Sequence, residues 1–205
     1  MSVTVCVFCA SSTAIPSHYV DLATQIGTEI GGRGWTLVTG GGSVSMMGAV
    51  ARAARAAGGR TVGVIPRALL DLEVADHDAD ELVVTDDMRS RKGEMDQRSD
   101  AFITLPGGIG TLEELLEVWT ARTLGMHDKP VVVVDPDDAF GPLRTQADQL
   151  VERGFMRSTV LEALTWATDA PTAIAAVELA LAHLLPGTPA PTAEEVLEAE
   201  PSGPG

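Results

Sequence analysis

The amino-acid sequence predicts a doubly wound α/β protein, in which one parallel sheet carries helices on both faces. Short runs of β-branched and apolar residues alternate along the chain with segments of helical periodicity. Glycine-rich turns follow two of these runs, at 40–42 and 107–110. Since right-handed crossovers return each helix to the sheet, this alternation favours parallel strands in a single domain.

The predicted elements follow one another in regular order. Strands are expected where β-branched and apolar residues run together, at 3–8, 35–38, 61–65, 82–85, 101–105 and 131–134. Helices are expected where apolar residues recur every three or four positions, at 16–30, 46–57, 86–98, 112–124, 139–153 and 171–185. A short apolar piece, 164–167, separates the last two helices. The broken pattern of 67–80 predicts a loop or short helix near the surface.

The 205 residues suit one domain of ordinary size, which we assign to residues 1–185. Residues 186–205 are rich in Pro, Gly, Ala and Glu and have little to bury, so we predict a mobile acidic tail. No stretch approaches the roughly 20 apolar residues that span a bilayer, and the first residues do not look like a secretion signal. We therefore expect a cytoplasmic protein.

The net charge limits the kinds of partner. It is −15, with 14 Lys and Arg against 29 Asp and Glu, and binding of nucleic acid is disfavoured because it requires clustered cations. A small anionic ligand would need a local cationic group, and Arg89, Arg91 and Lys92 supply one unless they form only a solvated helix face. Cys6 and Cys9 are too few for a zinc site, and we predict that both fill space in the core.

Two glycine-rich segments lie where doubly wound sheets bind ligands, between the end of a strand and the start of a helix. The first contains Gly41, Gly42 and Ser43, and it serves either packing or binding. The second consists of Pro106, Gly107, Gly108, Ile109, Gly110 and Thr111. Neither has the spacing of a Walker loop or of a dinucleotide fingerprint. The sequence thus predicts a site for one phosphate group, without a metal.

The second segment continues as Leu112-Glu113-Glu114 and completes a PGGxGTxxE motif, and a GMHDKP segment follows at 125–130. In these motifs, and over about residues 3–185, the chain resembles the Lonely Guy family. Its members are cytokinin-activating phosphoribohydrolases with a Rossmann-like fold, long misnamed lysine decarboxylases. Glutamates in the first turns of a helix also stabilise it by interacting with the helix dipole, so a purely structural role is the alternative for Glu113 and Glu114.

The resemblance implies roles for individual residues. Arg91, in the segment Met88-Arg89-Ser90-Arg91-Lys92, and Glu114 match the catalytic pair of the family. Together with the glycine segments, it implies that the nucleotide is contacted by Gly41, Gly42, Ser43, Glu73, Met88, Lys92, Pro106, Gly107, Gly108, Ile109, Gly110, Thr111, Leu112, Glu113 and Thr120.

One position departs from the family pattern. The first glycine segment of the family reads GGGxxGxMG, and this chain has Ser45 where the isolated glycine is usual. If the backbone there needs a positive φ, a serine is strained by about 1 kcal/mol or more.

The expected reaction is hydrolysis of an N6-substituted adenosine 5′-monophosphate, or of AMP, to the free base and ribose 5-phosphate. Glu114 would stabilise the oxocarbenium-like sugar, and Arg91 would hold the phosphate or a base-side oxygen. No organic cofactor is required, and the resemblance implies a homodimer. Two alternatives remain open: a broader nucleoside monophosphate nucleosidase, and a non-catalytic carrier of a nucleotide or of molybdenum cofactor. Lysine decarboxylation is disfavoured because it needs a pyridoxal-binding lysine.

Overall fold

A computed structural model describes residues 2–70 and 75–184 of the chain. These residues form seven strands: β1 (Thr4–Phe8), β2 (Thr36–Thr39), β3 (Arg60–Pro66), β4 (Glu81–Thr85), β5 (Ala101–Thr104), β6 (Val131–Val134) and β7 (Thr165–Ala167). The strands make one sheet in the order β4-β3-β2-β1-β5-β6-β7, and every neighbouring pair is parallel. The predicted doubly wound α/β sheet is confirmed.

Six helices cover the two faces of the sheet: α1 (Ser17–Gly32), α2 (Ser45–Ala56), α3 (Met88–Gln97), α4 (Ile109–Thr123), α5 (Gly141–Glu152) and α6 (Ala170–His183). Successive strand residues point to opposite faces, so Val5 and Val7 of β1 pack with α1, α2 and α6. Cys6 and Phe8 of the same strand pack with α3, α4 and α5. The central strand is therefore apolar on both sides, as a parallel strand covered by helices must be.

Two elements differ from the sequence-based expectation. Helix α4 begins at Ile109 and not at 112, because Gly108 takes the extended conformation of an N-cap residue (φ −86°, ψ −162°). The Ile109 side chain is 84% exposed, so it adds nothing to the apolar periodicity that marks a helix. The apolar piece at 164–167 contributes strand β7, which pairs with β6 at the edge of the sheet.

The order of the strands reverses at β1, which pairs with β2 on one side and with β5 on the other. In open α/β sheets the ligand binds outside the carboxyl ends of the strands at such a switch point. Both glycine segments lie at this edge, since Gly40 follows β2 and Pro106 follows the end of β5. The fold therefore brings together the two segments that the sequence singles out.

Both cysteines are free and buried, as predicted, and burial raises their pKa above the usual value. None of the helices within residues 2–70 and 75–184 combines the length and the hydropathy that a membrane-spanning segment needs. The predicted contact residue Glu73 and the predicted tail at 186–205 lie outside the described residues.

Candidate functional site

Arg91 lies at the centre of the site, on α3 and almost completely buried, with a side chain that is 6% exposed. Its guanidinium donates in three directions: from Nε to the Val64 carbonyl oxygen (3.0 Å), from Nη2 to the Gly40 carbonyl oxygen (3.2 Å) and from Nη1 to Oε1 of Glu114 (3.3 Å). Two backbone carbonyls thus fix the plane of the group. The third direction aims it at the carboxylate of Glu114.

Gly40 makes room for this guanidinium, a role that the sequence analysis did not identify. A Cβ atom at position 40 would lie 1.8 Å from Nη2 of Arg91, far inside the van der Waals limit. The first glycine of the run is therefore required by the side chain of Arg91. The glycine run itself was the only signal in the sequence, and nothing in it names the partner.

Glu114 points inward, towards the carboxyl end of β1. Its side chain is 11% exposed, and its carboxylate is one of the charges that raise the pKa of the Cys9 thiol, after burial itself. The structure thus brings together the two residues predicted to be catalytic, Arg91 and Glu114. They form a nearly buried ion pair at the switch point of the sheet.

The second glycine segment presents unused backbone donors. The first backbone N–H of α4 that donates to a carbonyl oxygen is that of Leu112, which bonds to Gly108 (3.1 Å). No N–H of residues 107–111 donates to another described protein group. These amides open the N-terminus of a 15-residue helix, which carries about half a positive charge. The arrangement fits a phosphate group.

The first glycine segment differs because its amides are already occupied. The N–H of Gly41, a residue with φ +78°, donates to Oγ1 of Thr39 (3.2 Å), and the N–H of Gly42 donates to the Met47 sulfur (3.1 Å). The Gly41 carbonyl oxygen accepts from the N–H of Asp76 (2.8 Å). Ser43 receives Arg52 Nη1 at its carbonyl oxygen (3.0 Å). This segment holds the surrounding backbone in place, and the second one has the donors that are open to a ligand.

A cavity of about 380 Å³ lies beside the second glycine segment. We call it the switch-point cavity. One wall consists of Pro106, Gly107 and Gly108, and Ala139 and Phe140 close one end. The remaining lining residues come from the β1–α1 loop, α1, α2 and α4: Ala10, Ser12, Ile15, Tyr19, Met46 and Leu112. The cavity is continuous with the open amides and has a mostly apolar lining.

Tyr19 is held in this lining by an acidic neighbour. Its hydroxyl donates to Oδ2 of Asp137 (2.6 Å), and this bond raises the pKa of Tyr19 to about 12. The hydroxyl therefore stays protonated over the physiological range. The ring is fixed as part of the wall.

Lys92 is not directed at the switch-point cavity. Its Nζ lies 2.5 Å from Oε1 of Glu113 and 2.8 Å from Oε2 of Glu117, and these bonds raise the pKa of Lys92. Both glutamates are about half exposed, on the outer side of α4. The structure thus separates Lys92 and Glu113 from the pair formed by their neighbours Arg91 and Glu114.

A second, larger cavity of about 830 Å³ lies between α3 and α4 and reaches the sheet at Phe8 and Phe102. Thr120 lines it together with Lys92, Glu113 and Glu114, so the carboxylate paired with Arg91 borders this cavity and is absent from the lining of the switch-point cavity. Met88 is 45% exposed at the first residue of α3. Large apolar side chains around it are exposed: Ile109 (84%), Leu116 (43%), Leu124 (58%) and Met126 (74%). We call this surface the α3–α4 face.

The strain expected at position 45 is present. Ser45 has φ +51°, and its hydroxyl donates to the Ser12 carbonyl oxygen (2.5 Å).

Within residues 2–70 and 75–184, no group of three or more His, Cys, Asp or Glu side chains is arranged to hold a metal ion.

Comparisons with known proteins agree on one family. A family model described as "Possible lysine decarboxylase" matches residues 47–177. The chain is 57% identical over 163 residues to the cytokinin riboside 5′-monophosphate phosphoribohydrolase of Mycobacterium tuberculosis, covering 78% of this chain and 86% of that protein. It is 44% identical over 169 residues to the cytokinin riboside 5′-monophosphate phosphoribohydrolase LOG3 of Arabidopsis thaliana, covering 82% and 77%.

Solved structures show the same fold. The molybdenum cofactor carrier protein of Chlamydomonas reinhardtii superimposes with a TM-score of 0.69 at 25% identity, covering 89% of this chain and 99% of that one.

Proposed function

The chain belongs to the Lonely Guy family of cytokinin riboside 5′-monophosphate phosphoribohydrolases, and we propose that it hydrolyses the N-glycosidic bond of an N6-substituted adenosine 5′-monophosphate or of AMP. The products are the free base and ribose 5-phosphate. One observation carries the proposal: the buried Arg91–Glu114 pair lies beside the open amides at the start of α4. A phosphate anchor and a charged group for the sugar thus stand side by side.

The 5′-phosphate binds the N–H groups of residues 107–111, with Thr111 in the first turn of α4. Gly107 has to be glycine, because a Cβ atom there would lie 2.2 Å from Oγ1 of Thr111. The phosphate takes no part in the chemistry. It supplies binding energy that places the sugar against Glu114.

Glu114 acts on the anomeric carbon. When the C1′–N9 bond breaks, the electron pair leaves with the base and positive charge develops on the ribose, where a carboxylate stabilises it. Water then bonds to C1′ and gives a proton to Glu114, and this proton passes on to the leaving base, so that the carboxylate ends the cycle ionised as it began. The guanidinium of Arg91 keeps the carboxylate oriented, since its other donors are fixed on Val64 and Gly40.

The test is turnover by the purified protein of isopentenyladenosine monophosphate and of AMP, followed as release of ribose 5-phosphate. Glu114→Gln keeps the shape and removes the charge, and we expect kcat to fall at least about 100-fold. Glu178→Gln is the control, because that half-exposed glutamate pairs with Arg33 on the opposite face of the sheet, and it should stay within about threefold because exposed ion pairs contribute little. Equal rates for Glu114→Gln and wild type would refute the mechanism.

The preference for the base is a separate question, and a broader nucleotide nucleosidase is the second candidate. The mostly apolar lining of the switch-point cavity favours a purine with an apolar substituent over a small polar base. Rates compared across isopentenyladenosine, adenosine, guanosine and cytidine monophosphates distinguish the two. Retention of nucleotide without any turnover would instead indicate a carrier.

Lysine decarboxylation, which the description of the family model names, does not suit the lysines of this chain. There are two, Lys92 and Lys129. Lys92 is bound by two glutamates that favour its charged form, and Nζ of Lys129 lies 2.8 Å from Oδ1 of Asp96. A Schiff base requires an uncharged amine, so neither position favours one.

We also propose that a second copy of this chain covers the α3–α4 face. Four large apolar side chains are exposed there around a cavity of about 830 Å³, and monomers rarely expose so large a contiguous apolar patch. Sedimentation of the wild type should give a dimer, and Leu124→Asp should give a monomer with retained secondary structure. A wild-type monomer at all concentrations would contradict this proposal.

The cytoplasmic location expected from the sequence stays a prediction.

A further inference from the structure

We propose that Ser45 is a positioning residue that fixes the β1–α1 loop, residues 9–16, as one wall of the nucleotide site. This inference rests on the proposed function, because it assigns the switch-point cavity to the nucleotide. The observations that support it are the backbone conformation of Ser45, its hydrogen bond to Ser12 and the position of both residues beside the cavity.

The backbone of Ser45 is in a conformation that serine rarely adopts. It has φ +51° at the first residue of α2, directly after Val44 in extended conformation (φ −104°, ψ 163°). In the left-handed region the Cβ atom crowds the backbone, which is why glycine is favoured there. Of the non-glycine residues that the structure describes, only Ser45 and Asp138 have a positive φ.

A hydrogen bond offsets this strain. The hydroxyl of Ser45 donates to the carbonyl oxygen of Ser12, 33 positions earlier in the chain (2.5 Å). The loop has internal bonds, such as that from the N–H of Ala14 to Oγ of Ser12 (3.3 Å). Within the ranges that the structure covers, two hydrogen bonds tie residues 10–16 to other elements: that from the N–H of Tyr19 to the Pro16 carbonyl oxygen at the start of α1 (3.2 Å), and that from Ser45, which alone joins the loop to α2. A glycine at position 45 has no hydroxyl, so this link depends on the serine of this chain.

The two elements that the Ser45–Ser12 hydrogen bond joins, the β1–α1 loop and α2, both line the switch-point cavity. Ser12 and Ile15 line the cavity from the loop, and Met46, the residue after Ser45, lines it from α2 while fully buried. Gly107 and Gly108, which belong to the segment with open amides, line the same cavity. The hydroxyl of Ser45 thus sets the separation between the loop and the phosphate-binding turn. Binding of the nucleotide depends on it, whereas bond cleavage depends on Glu114.

Three variants separate the hydroxyl from the strain. Ser45→Ala removes the hydroxyl and keeps the Cβ atom, Ser45→Gly removes both, and Ser45→Thr keeps the hydroxyl and adds a β-branch. For Ser45→Ala and Ser45→Gly we expect the KM for AMP, and the Kd of AMP from calorimetry, to rise about fivefold with kcat within about twofold, the effect of one lost hydrogen bond. Ser45→Thr should keep the wild-type Kd with a lower Tm.

The melting temperature follows the other variable. Ser45→Gly should melt above Ser45→Ala by roughly 2–4 °C, because glycine relieves the strain. A residue with a merely structural role would change Tm and Kd together. Here we expect Kd to depend on whether the hydroxyl is present, and Tm to depend on whether a Cβ atom is strained at the positive φ of position 45. Ser45→Gly keeps the test decisive if Ser45→Thr fails to fold.

The inference is overturned if Ser45→Ala and Ser45→Gly bind AMP as tightly as the wild type, or if kcat falls while Kd is unchanged. Where the protein turns AMP over, calorimetry is done in the slow Glu114→Gln background with and without the Ser45 substitutions, so that it reports binding alone and separates this inference from the proposed function. A wild type that binds AMP without hydrolysing it, with weaker binding in both variants, refutes the hydrolase and supports the role of Ser45. A wild type that hydrolyses AMP, with unchanged binding in the variants, refutes only the role of Ser45.

Discussion

At the scale of single residues, the site depends on two charges that are nearly removed from water. Burial of Arg91 and Glu114 carries a desolvation cost, which their mutual attraction and the hydrogen bonds of Arg91 to two carbonyls offset. If Glu114 is removed, the buried charge of Arg91 keeps its hydrogen bonds to two neutral carbonyls. Glu114→Gln retains an oxygen that can accept from Arg91, so it is more informative than truncation to alanine.

Gly40 provides a test of how closely the backbone fits Arg91. In Gly40→Ala the new methyl group would meet Nη2 of Arg91, so the guanidinium must leave the Gly40 carbonyl and its aim at Glu114. We expect kcat/KM to fall about 10- to 100-fold, as when a catalytic group is misplaced by about an ångström. Gly32→Ala is the control, because a Cβ atom there meets nothing within 4 Å. Unchanged kinetics of Gly40→Ala would show that Arg91 tolerates displacement.

At the scale of elements, two consecutive residues of α3 form ion pairs with different glutamates of α4. Arg91 and Lys92 are adjacent on α3, and they pair respectively with Glu114 and with the glutamates on either side of it, Glu113 and Glu117. Residues four apart lie on one side of a helix, so Glu113 and Glu117 share the outer side while Glu114 turns inward. One side of this contact forms the candidate catalytic pair, and the other forms a solvent-facing ion network.

The start of α3 determines where Arg91 lies. Asp87 is the N-cap residue of α3, its carboxylate accepts from the N–H of Ser90 (2.7 Å), and that bond lowers the pKa of Asp87. We expect Asp87→Ala to lower Tm by about 2–4 °C and to reduce kcat/KM, because the first turn of α3 carries Arg91. Thermal melts and initial rates are the measurements.

The matched control is Asp169→Ala, which removes the equivalent cap of α6. That carboxylate accepts from the N–H of Thr172 (2.8 Å), and α6 packs on the opposite face of the sheet. It should lower Tm by a similar amount and leave kcat/KM unchanged. Equal losses of activity in the two variants would mean that α3 has no special part in placing Arg91.

At the scale of the whole molecule, the negative net charge opposes the approach of an anionic nucleotide. With a formal charge of −15, the protein repels a phosphate over distances up to the Debye length. The cations of the site are paired, Arg91 with Glu114 and Lys92 with two glutamates. The attraction therefore comes from the backbone amides and the dipole of α4, which act at short range.

The stability of the whole molecule should depend on pH through His127. Both ring nitrogens are buried without a hydrogen-bond partner among the described residues, and the ring lies against Phe102 (5.6 Å between centroids). Burial lowers the pKa of His127; Asp96 and the nearby backbone of Val118 oppose this lowering, and Lys129 and Arg122 reinforce it. The unfolded chain, with a histidine pKa of about 6.5, then binds more protons than the folded one.

Stability should consequently be complete above about pH 6.5 and decrease as the pH falls towards the lowered pKa of folded His127. We expect the Tm of the wild type to drop between about pH 7.5 and 5.5, and His127→Phe, which keeps an aromatic ring, to show a smaller drop. The exposed His77→Phe serves as the control and should behave as the wild type. Parallel Tm curves for all three proteins would exclude His127 as the cause.

The amino-acid sequence predicts the fold class and most element positions within a few residues, because periodicity reports which side of an element is buried and glycine marks a backbone that other residues cannot follow. The pairing of Arg91 with Glu114 as catalytic residues came from the resemblance to the Lonely Guy family. The PGGxGTxxE motif at 106–114 and the GMHDKP segment at 125–130 carried the resemblance that identified the family.

The partner of each polar group follows from the tertiary arrangement and could not be predicted from the sequence. Three contacts join elements that are separated in the chain: Lys92 pairs with two glutamates, Arg91 occupies the space beside Gly40, and Ser45 donates to Ser12. Periodicity carries no information about such contacts, because they depend on how helices and loops are set against one another once the sheet has formed. The difference between occupied amides in the first glycine segment and open ones in the second arises in the same way.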